Sequence, residues 1–310
     1  MSVPNGGTLR SFNKAVTRAK LRVEMARSKW PVVDVAVRTL TRYSEDDGGF
    51  YAAALTYFTF FSIFPLLLTA ASLLGYLTFG NEDLRRDILR AGVDAFPLLR
   101  DVLKPAGLAF VEERRRAFAA TGVALALYSG SGAVVALEHA LNKIHRGDAK
   151  GDFLARRVRS LKWLAVLGLA SLASIALGGV TNFAGELFGE AAGPVASALG
   201  LVGGLFANVV IFGTAFKFLP SVHPAWREVL PGALFTAVVF ELLKVVGSLY
   251  LETGSETREA TFGAFAVAAG LLVASYLVAQ VILLAAEVNA VLVERRSTRE
   301  SSMTTTGEAQ

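Results

Sequence analysis

GGFYAAALTYFTFFSIFPLLLTAASLLGYLTFG, from Gly48 to Gly80, contains no Asp, Glu, Lys, Arg or His. A helix needs roughly 20 apolar residues to cross the hydrocarbon core of a bilayer, so this stretch spans a membrane with residues to spare. Pro65 sits near its middle, among Tyr51, Tyr57, Phe58, Phe60, Phe61 and Phe64. Proline has no backbone N–H, which leaves the carbonyl near Phe61 without its usual partner, and the helix is expected to bend there. A plain anchor needs no bend. The stretch points to something that happens inside the membrane.

The rest of the chain agrees with that environment. Of 310 residues, 53% are hydrophobic and only 18% charged, too apolar a balance for an ordinary soluble domain. Apolar runs recur along nearly the whole length, which favours one helical bundle over two soluble domains. No cysteine is present, so disulfides, thiolate metal sites and cysteine nucleophiles are excluded. The net charge of +5 could suit nucleic acid, but in a membrane protein it fits basic cytoplasmic loops beside anionic lipid. No nucleic-acid partner is expected. The first apolar run follows a polar, basic segment, so no signal peptide is read at the N-terminus.

Five further spans are expected, roughly Phe118–Leu137, Leu161–Val180, Ala198–Leu219, Val229–Leu251 and Phe262–Val293. Loop charge alternates around them as the positive-inside rule requires. Basic stretches are the N-terminal segment (Arg10 to Arg42), the connection from Lys143 to Lys162, Arg227, and Arg295 to Arg299. The loops carrying Glu186 and Glu190, or Glu252, Glu256 and Glu259, are acidic on balance. The expected fold is all-α: six transmembrane helices with extra interfacial amphipathic helices, and both termini cytoplasmic.

Three regions follow from this. Residues 1–49 are a basic cytoplasmic segment with an interfacial helix over Pro31–Thr41, residues 50–293 the membrane domain, and residues 294–310 a disordered cytoplasmic tail. The connection 81–117 mixes both signs and lies outside by parity. Leu84, Ile88, Ala91 and Ala95 share a helical face there. Amphipathic helices on the outer leaflet and a small helical hairpin packed on the other loops both satisfy that pattern.

Charge inside hydrocarbon is costly, so polar residues within spans are the candidates for function. Glu241 and Lys244 are three apart in the fifth span, close enough to pair, with Glu241 near mid-bilayer. Tyr276, Gln280 and Glu287 share a stripe of the sixth span, with Asn289 nearby; Ser131, Glu138 and Asn142 share one in the second. Glu138, Glu287 and Lys217 lie towards the cytoplasmic side. With Tyr57, Ser62 and Pro65 shaping the first helix, these residues are read as a transport path or polar cavity. The bland alternative is a set of buried pairs, Glu241 with Lys244 and Lys217 with Glu287 or Glu138, that only hold helices together.

Catalytic signals are weak. The three histidines, His139, His145 and His223, have no HxH or HExxH spacing and read as solvated interfacial residues. Gly130-Ser131-Gly132 lies within a span and lacks the strand and helix of a phosphate loop. Neither Ser62 nor Ser131 has a histidine at helical spacing, and no metal, cofactor or catalytic residue is expected.

Four segments carry a family resemblance: AAALTYFTFFSIFPLLL (Ala52–Leu68), ALNKIHR (Ala140–Arg146), FKFLPSVHPAWREVLPGALFTAVVFELLKVVGSLYL (Phe216–Leu251) and LLAAEVNAVL (Leu283–Leu292). In this order they resemble the YihY/virulence factor BrkB family of bacterial inner-membrane proteins. The chain departs at LLAAE, where the family often has Gly before Glu, and at Thr261-Phe262-Gly263, where Tyr-Gly is usual. The resemblance implies a six-span fold in the inner membrane. Members were once labelled ribonuclease BN, a tRNA-processing nuclease, and the missing metal-ligand cluster argues against carrying that label over. The family's link to virulence and envelope integrity suggests movement of an amphipathic, lipid-like or small organic compound. A non-transporting membrane scaffold for envelope integrity is the alternative, with anionic lipid at the basic loops as its partner.

Overall fold

The computed structural model describes residues 29–77, 115–148, 154–170, 193–252 and 255–307, with positions 24, 25, 27, 83, 86 and 152. Every regular element among them is helical: α1 (Pro31–Glu45), α2 (Gly48–Leu77), α3 (Arg115–Ile144), α4 (154–170), α5 (Gly193–Phe218), α6 (Trp226–Glu252) and α7 (Ser255–Gly307). Four stretches of these helices are long and apolar enough to cross a membrane: Ala120–Ile144, Gly200–Phe218, Trp226–Gly247 and Ala268–Thr298. Helix α2 runs through Pro65, and its Gly48–Ile63 part is a shorter apolar stretch. The expected third span is helical to residue 170, and its remainder lies outside the described residues. So does nearly all of the 81–117 connection.

Helix α1 begins where Pro31 takes the first helical position, which costs no hydrogen bond because that N–H has no partner in any helix. It ends at Asp46, whose N–H bonds Arg42 O at 2.7 Å. Asp47 then turns into the left-handed region (φ 56°), which Asp tolerates better than most residues, and α2 departs.

The helices form a ring. Helix α3 packs on α2, α2 on α7, α7 on α6 and α6 on α5, while α1 lies mainly against α7. Helix α4 joins both ends: Trp163 stacks on Phe218 of α5 (centroids 5.7 Å), and Leu164 meets α3 beside Gly130. A Cβ at Gly132 would come within 2.4 Å of the Phe58 ring of α2. The Gly130-Ser131-Gly132 run is therefore where two neighbours approach the α3 backbone.

Small residues fill the core, including Ala52, Ala140, Ala233, Ala285 and Ala286, around Leu141, Phe216 and Leu283. Without a hydrophobic drive between helices in lipid, such close packing supplies much of the association energy. Helical hydroxyls bond back to their own turns, Thr56 to Ala52 O and Ser129 to Leu125 O, which satisfies them without water. Outside the ring stand Phe61, Leu127, Phe206, Leu234, Leu242 and Val273, all exposed. A soluble monomer rarely shows so much apolar surface, and a lipid-facing one must.

Helix α7 continues to Gly307, past the boundary at which the sequence suggests disorder from 294. Contacts with α1 account for its first turn there: Glu294 accepts from Arg42 at 2.9 Å, and Arg295 donates to Pro31 O at 3.0 Å. Ordering is offset by bonds that composition alone does not show.

Candidate functional site

The end of α3, the α5–α6 turn, the start of α6, the later part of α7 and the α1–α2 turn converge on one polar corner. Arg42 of α1 is its hub. Its guanidinium donates to Glu294 (2.9 Å) and to the Ile144 carbonyl (3.1 Å), and its Nε lies 3.4 Å from buried Glu287. Arg146, just past α3, donates to Asp46 at 2.9 Å, and Lys143 pairs with Asp47. On the outer side of α1, Asp34 meets Arg27 at 3.0 Å and Arg38 at 3.1 Å. Burial would raise the Asp34 carboxyl, but those two guanidiniums outweigh it and hold it below its ordinary value.

Asn142 fastens the α5–α6 turn to α3. Its Oδ1 accepts from the Ser221 N–H (2.7 Å) and hydroxyl (2.8 Å). Asn289 fastens α7 to α6 in the same way, accepting from Gly232 N–H at 2.7 Å and donating to Val229 O at 3.2 Å. Gly232 is required there, because a Cβ would stand 2.4 Å from Asn289 Nδ2 and 2.5 Å from the Ala285 carbonyl.

His145 belongs to this corner, with a buried Nε2 that has no hydrogen-bond partner. It is not the solvated histidine the sequence suggests. Burial lowers it from its ordinary 6.5, and Arg42 lowers it further against an opposing effect from Glu228. The folded state thus prefers the neutral ring. That stabilisation is complete above pH 6.5 and fades as the pH falls through the depressed value. His145→Gln should therefore flatten the acid side of the melting-temperature profile, measured by scanning fluorimetry in detergent; an unchanged acid limb would refute this.

A second polar group lies on the α5–α6 seam, about 20 Å along α6 from its Trp226 end. Glu241 accepts from Asn208 Nδ2 at 2.7 Å and pairs with Lys244 at 2.7 Å. Its side chain is 15% exposed and that of Lys244 is 32% exposed. Gly204, one turn from Asn208, faces the carboxylate. The neighbours Leu201, Val202, Leu242, Val245 and Val246 are exposed and apolar.

The structure thus distributes the sequence candidates between two places. Glu138, Asn142, Lys217 and Glu287 stand at or near the polar corner, while Glu241 and Lys244 pair on the seam. Glu138 pairs with Arg159 at 3.3 Å and Glu287 with Arg42, so the expected partner Lys217 is replaced in both cases. Lys217 instead donates to Pro224 O at 3.0 Å and lies over the Phe218 and Trp226 rings. Tyr57 is 58% exposed on the outside of α2, and Tyr276 is exposed on α7. Ser62 and Ser131 are buried and bond to their own helices, Pro65 is buried, and Gln280 is half-buried near Tyr43.

Arg42, Asp46, Asn208 and Ser221 are absent from the sequence candidates. The Asp46-Asp47-Gly48-Gly49 run is a turn signal that could have marked the corner; nothing in the sequence pairs Arg42 with Glu287. Among the described residues, no group of three or more His, Asp or Glu side chains could hold a metal ion.

The family model for virulence factor BrkB matches residues 39–308. The chain belongs to the BrkB family. Its relatives include the inner membrane protein YhjD of Escherichia coli, 25% identical over 83% of this chain and 80% of that protein. The putative ribonuclease-like protein YfkH of Bacillus subtilis is 24% identical over 83% of this chain and 94% of its own length. A UPF0761 membrane protein of Albidiferax ferrireducens is 27% identical over 82% of this chain and 61% of that longer protein. No solved structure matches. As a BrkB-family chain with four long apolar helices, it is a multi-pass protein of the bacterial inner membrane.

Proposed function

We propose that this BrkB-family protein moves an amphipathic, lipid-like or small organic compound across the inner membrane along the α5–α6 seam. The observation behind this reading is the Glu241–Lys244–Asn208 group. A charged pair kept only to join helices gains most when fully enclosed, because exposure to lipid adds desolvation without adding partners. This pair is partly open among apolar neighbours, an arrangement suited to a polar headgroup travelling with an apolar tail.

The corner with Arg42, Arg146 and Arg159 is assigned to the cytoplasmic side by the positive-inside rule. Six spans, cytoplasmic termini and an external 81–117 segment complete the proposed topology. Anionic lipid is the proposed partner of the basic end.

The test uses proteoliposomes that contain fluorescent, NBD-labelled phosphatidylglycerol. Dithionite quenches only the outer leaflet, so moving protein should reduce the protected fraction below that of protein-free vesicles. Equal protection, at verified reconstitution, would reject lipid movement and favour the scaffold. The ribonuclease-like wording of the YfkH name predicts instead that the purified protein cleaves structured RNA with divalent metal.

A further inference from the structure

Helix α4 carries Arg156, Arg157, Arg159 and Lys162 and no acidic residue. Arg159 is matched by Glu138 of α3 at 3.3 Å. Arg156 and Arg157 meet no carboxylate among the described residues. Arg156 donates to His139 Nε2 at 3.1 Å, and an imidazole lone pair does not cancel its charge. Arg157 donates through one terminal nitrogen to the Tyr128 carbonyl at 2.7 Å, and its guanidinium lies 4.6 Å from the centre of the Tyr128 ring. That carbonyl also accepts the Ser131 hydroxyl at 2.9 Å, so it is a shared acceptor. The rest of the Arg157 fork bonds nothing among the described residues.

The surroundings say what completes that fork. Tyr128 belongs to the apolar stretch Ala120–Ile144 and is 68% exposed, as an interfacial tyrosine is. The four cations of α4 hold its first turns at headgroup level, so Arg157 joins that level to the apolar face of α3. Leu127 precedes Tyr128, and Leu154 and Val158 flank Arg157 on α4; all three are exposed. A planar fork with open donors fits the paired oxygens of a phosphate, and apolar neighbours on both helices fit acyl chains rather than a free ion. Arg156 and exposed Lys162 add positive charge to the same helix, which attracts a net anionic headgroup and repels the ammonium of a zwitterionic one. We propose that the outer α3–α4 face binds one anionic phospholipid, its phosphate on Arg157 above the Tyr128 ring and its chains along Leu127, Leu154 and Val158. The inference rests on the anionic-lipid partner proposed above and gives it a place. It does not rest on movement along the α5–α6 seam, because a scaffold would hold the same lipid.

Native mass spectrometry of the full chain in detergent tests the site, with phosphatidylglycerol and phosphatidylcholine of identical chains as probes. The wild type should bind its first phosphatidylglycerol more tightly than phosphatidylcholine. Arg157→Gln should weaken that binding at least about tenfold, the loss expected for a charge-assisted hydrogen bond, and leave phosphatidylcholine unchanged. Lys143→Gln, whose cation pairs with Asp47 at the polar corner, should keep the preference. No preference in the wild type would reject the anionic-lipid partner together with this site. A preference that survives Arg157→Gln would reject this site alone, and is the result expected if Arg157 only staples α4 to α3. Displacement of the lipid by excess inorganic phosphate would show a free-anion site and overturn the lipid assignment. Photo-crosslinking covers the case in which the variant fails to accumulate. Phosphatidylglycerol with a diazirine in its acyl chain should label wild-type peptides holding Leu127–Tyr128 or Leu154–Val158. Labelling confined to other segments would overturn the site.

Discussion

Replacing Gly232 with leucine should leave little folded protein in the membrane, and Gly232→Ala should lower the melting temperature clearly. The cause is geometric. Even the alanine methyl would sit 2.5 Å from the Ala285 carbonyl, which is backbone of α7 and cannot rotate away. It would also press on Asn289, whose side chain bonds the Gly232 N–H and the Val229 carbonyl at that crossing. Overpacking at a close contact costs roughly 1–3 kcal/mol for a methyl group. Leucine adds a branched side chain to the same space.

Asn289→Ala removes both bonds and leaves a buried N–H without its acceptor, a loss of about 1–3 kcal/mol. The double variant Gly232→Ala with Asn289→Ala distinguishes the two effects. Removing the asparagine relieves one clash but leaves the Ala285 carbonyl in place, so stability should not recover to the level of Asn289→Ala alone. Accumulation and melting of Gly232→Leu at wild-type values would show that α6 and α7 do not cross there.

Glu241→Gln should slow movement of the lipid probe at least about tenfold, equivalent to ~1.4 kcal/mol of barrier, while the protein still accumulates. Glutamine can keep the bond from Asn208 but carries no charge to hold Lys244. An unpaired ammonium within a span recruits water or swings towards the interface, and either change alters the polar step on the seam. The purely structural reading makes the opposite prediction for the pair. If Glu241 and Lys244 only hold α6, then Glu241→Gln with Lys244→Met should restore full activity, since an apolar pair packs as well as a buried ionic one. If they belong to the path, the double variant should stay slow. Wild-type rates in Glu241→Gln at normal abundance would remove the carboxylate from the mechanism.

The two predictions rest on different kinds of legibility. Glu241 and Lys244 are found from sequence because a three-residue spacing on one helix brings side chains together whatever surrounds them. Their location is legible for a related reason: charge within a long apolar run stands out. Gly232 appears as an ordinary glycine in a Leu-Pro-Gly turn of sequence. Its importance arises from α7, more than fifty residues later, passing within contact of its backbone.

The same division runs through the corner. Glu138 and Glu287 are recognised as costly intramembrane carboxylates, but their partners are Arg159 and Arg42, which the sequence offers only as two of many basic loop residues. His145 looks like a solvated loop histidine because burial by other helices leaves no mark in its own neighbourhood.

The sequence by itself determined the membrane environment, the helical fold and the alternation of basic and acidic loops. Each depends on short-range chemistry: backbone groups in hydrocarbon must bond within their own helix, and charge must leave the bilayer core. Only the tertiary structure decided which charges meet, where α6 and α7 touch, and why Arg42 reaches Glu287. Those depend on distances between elements far apart in the chain, and a buried polar group is defined by the partners that reach it.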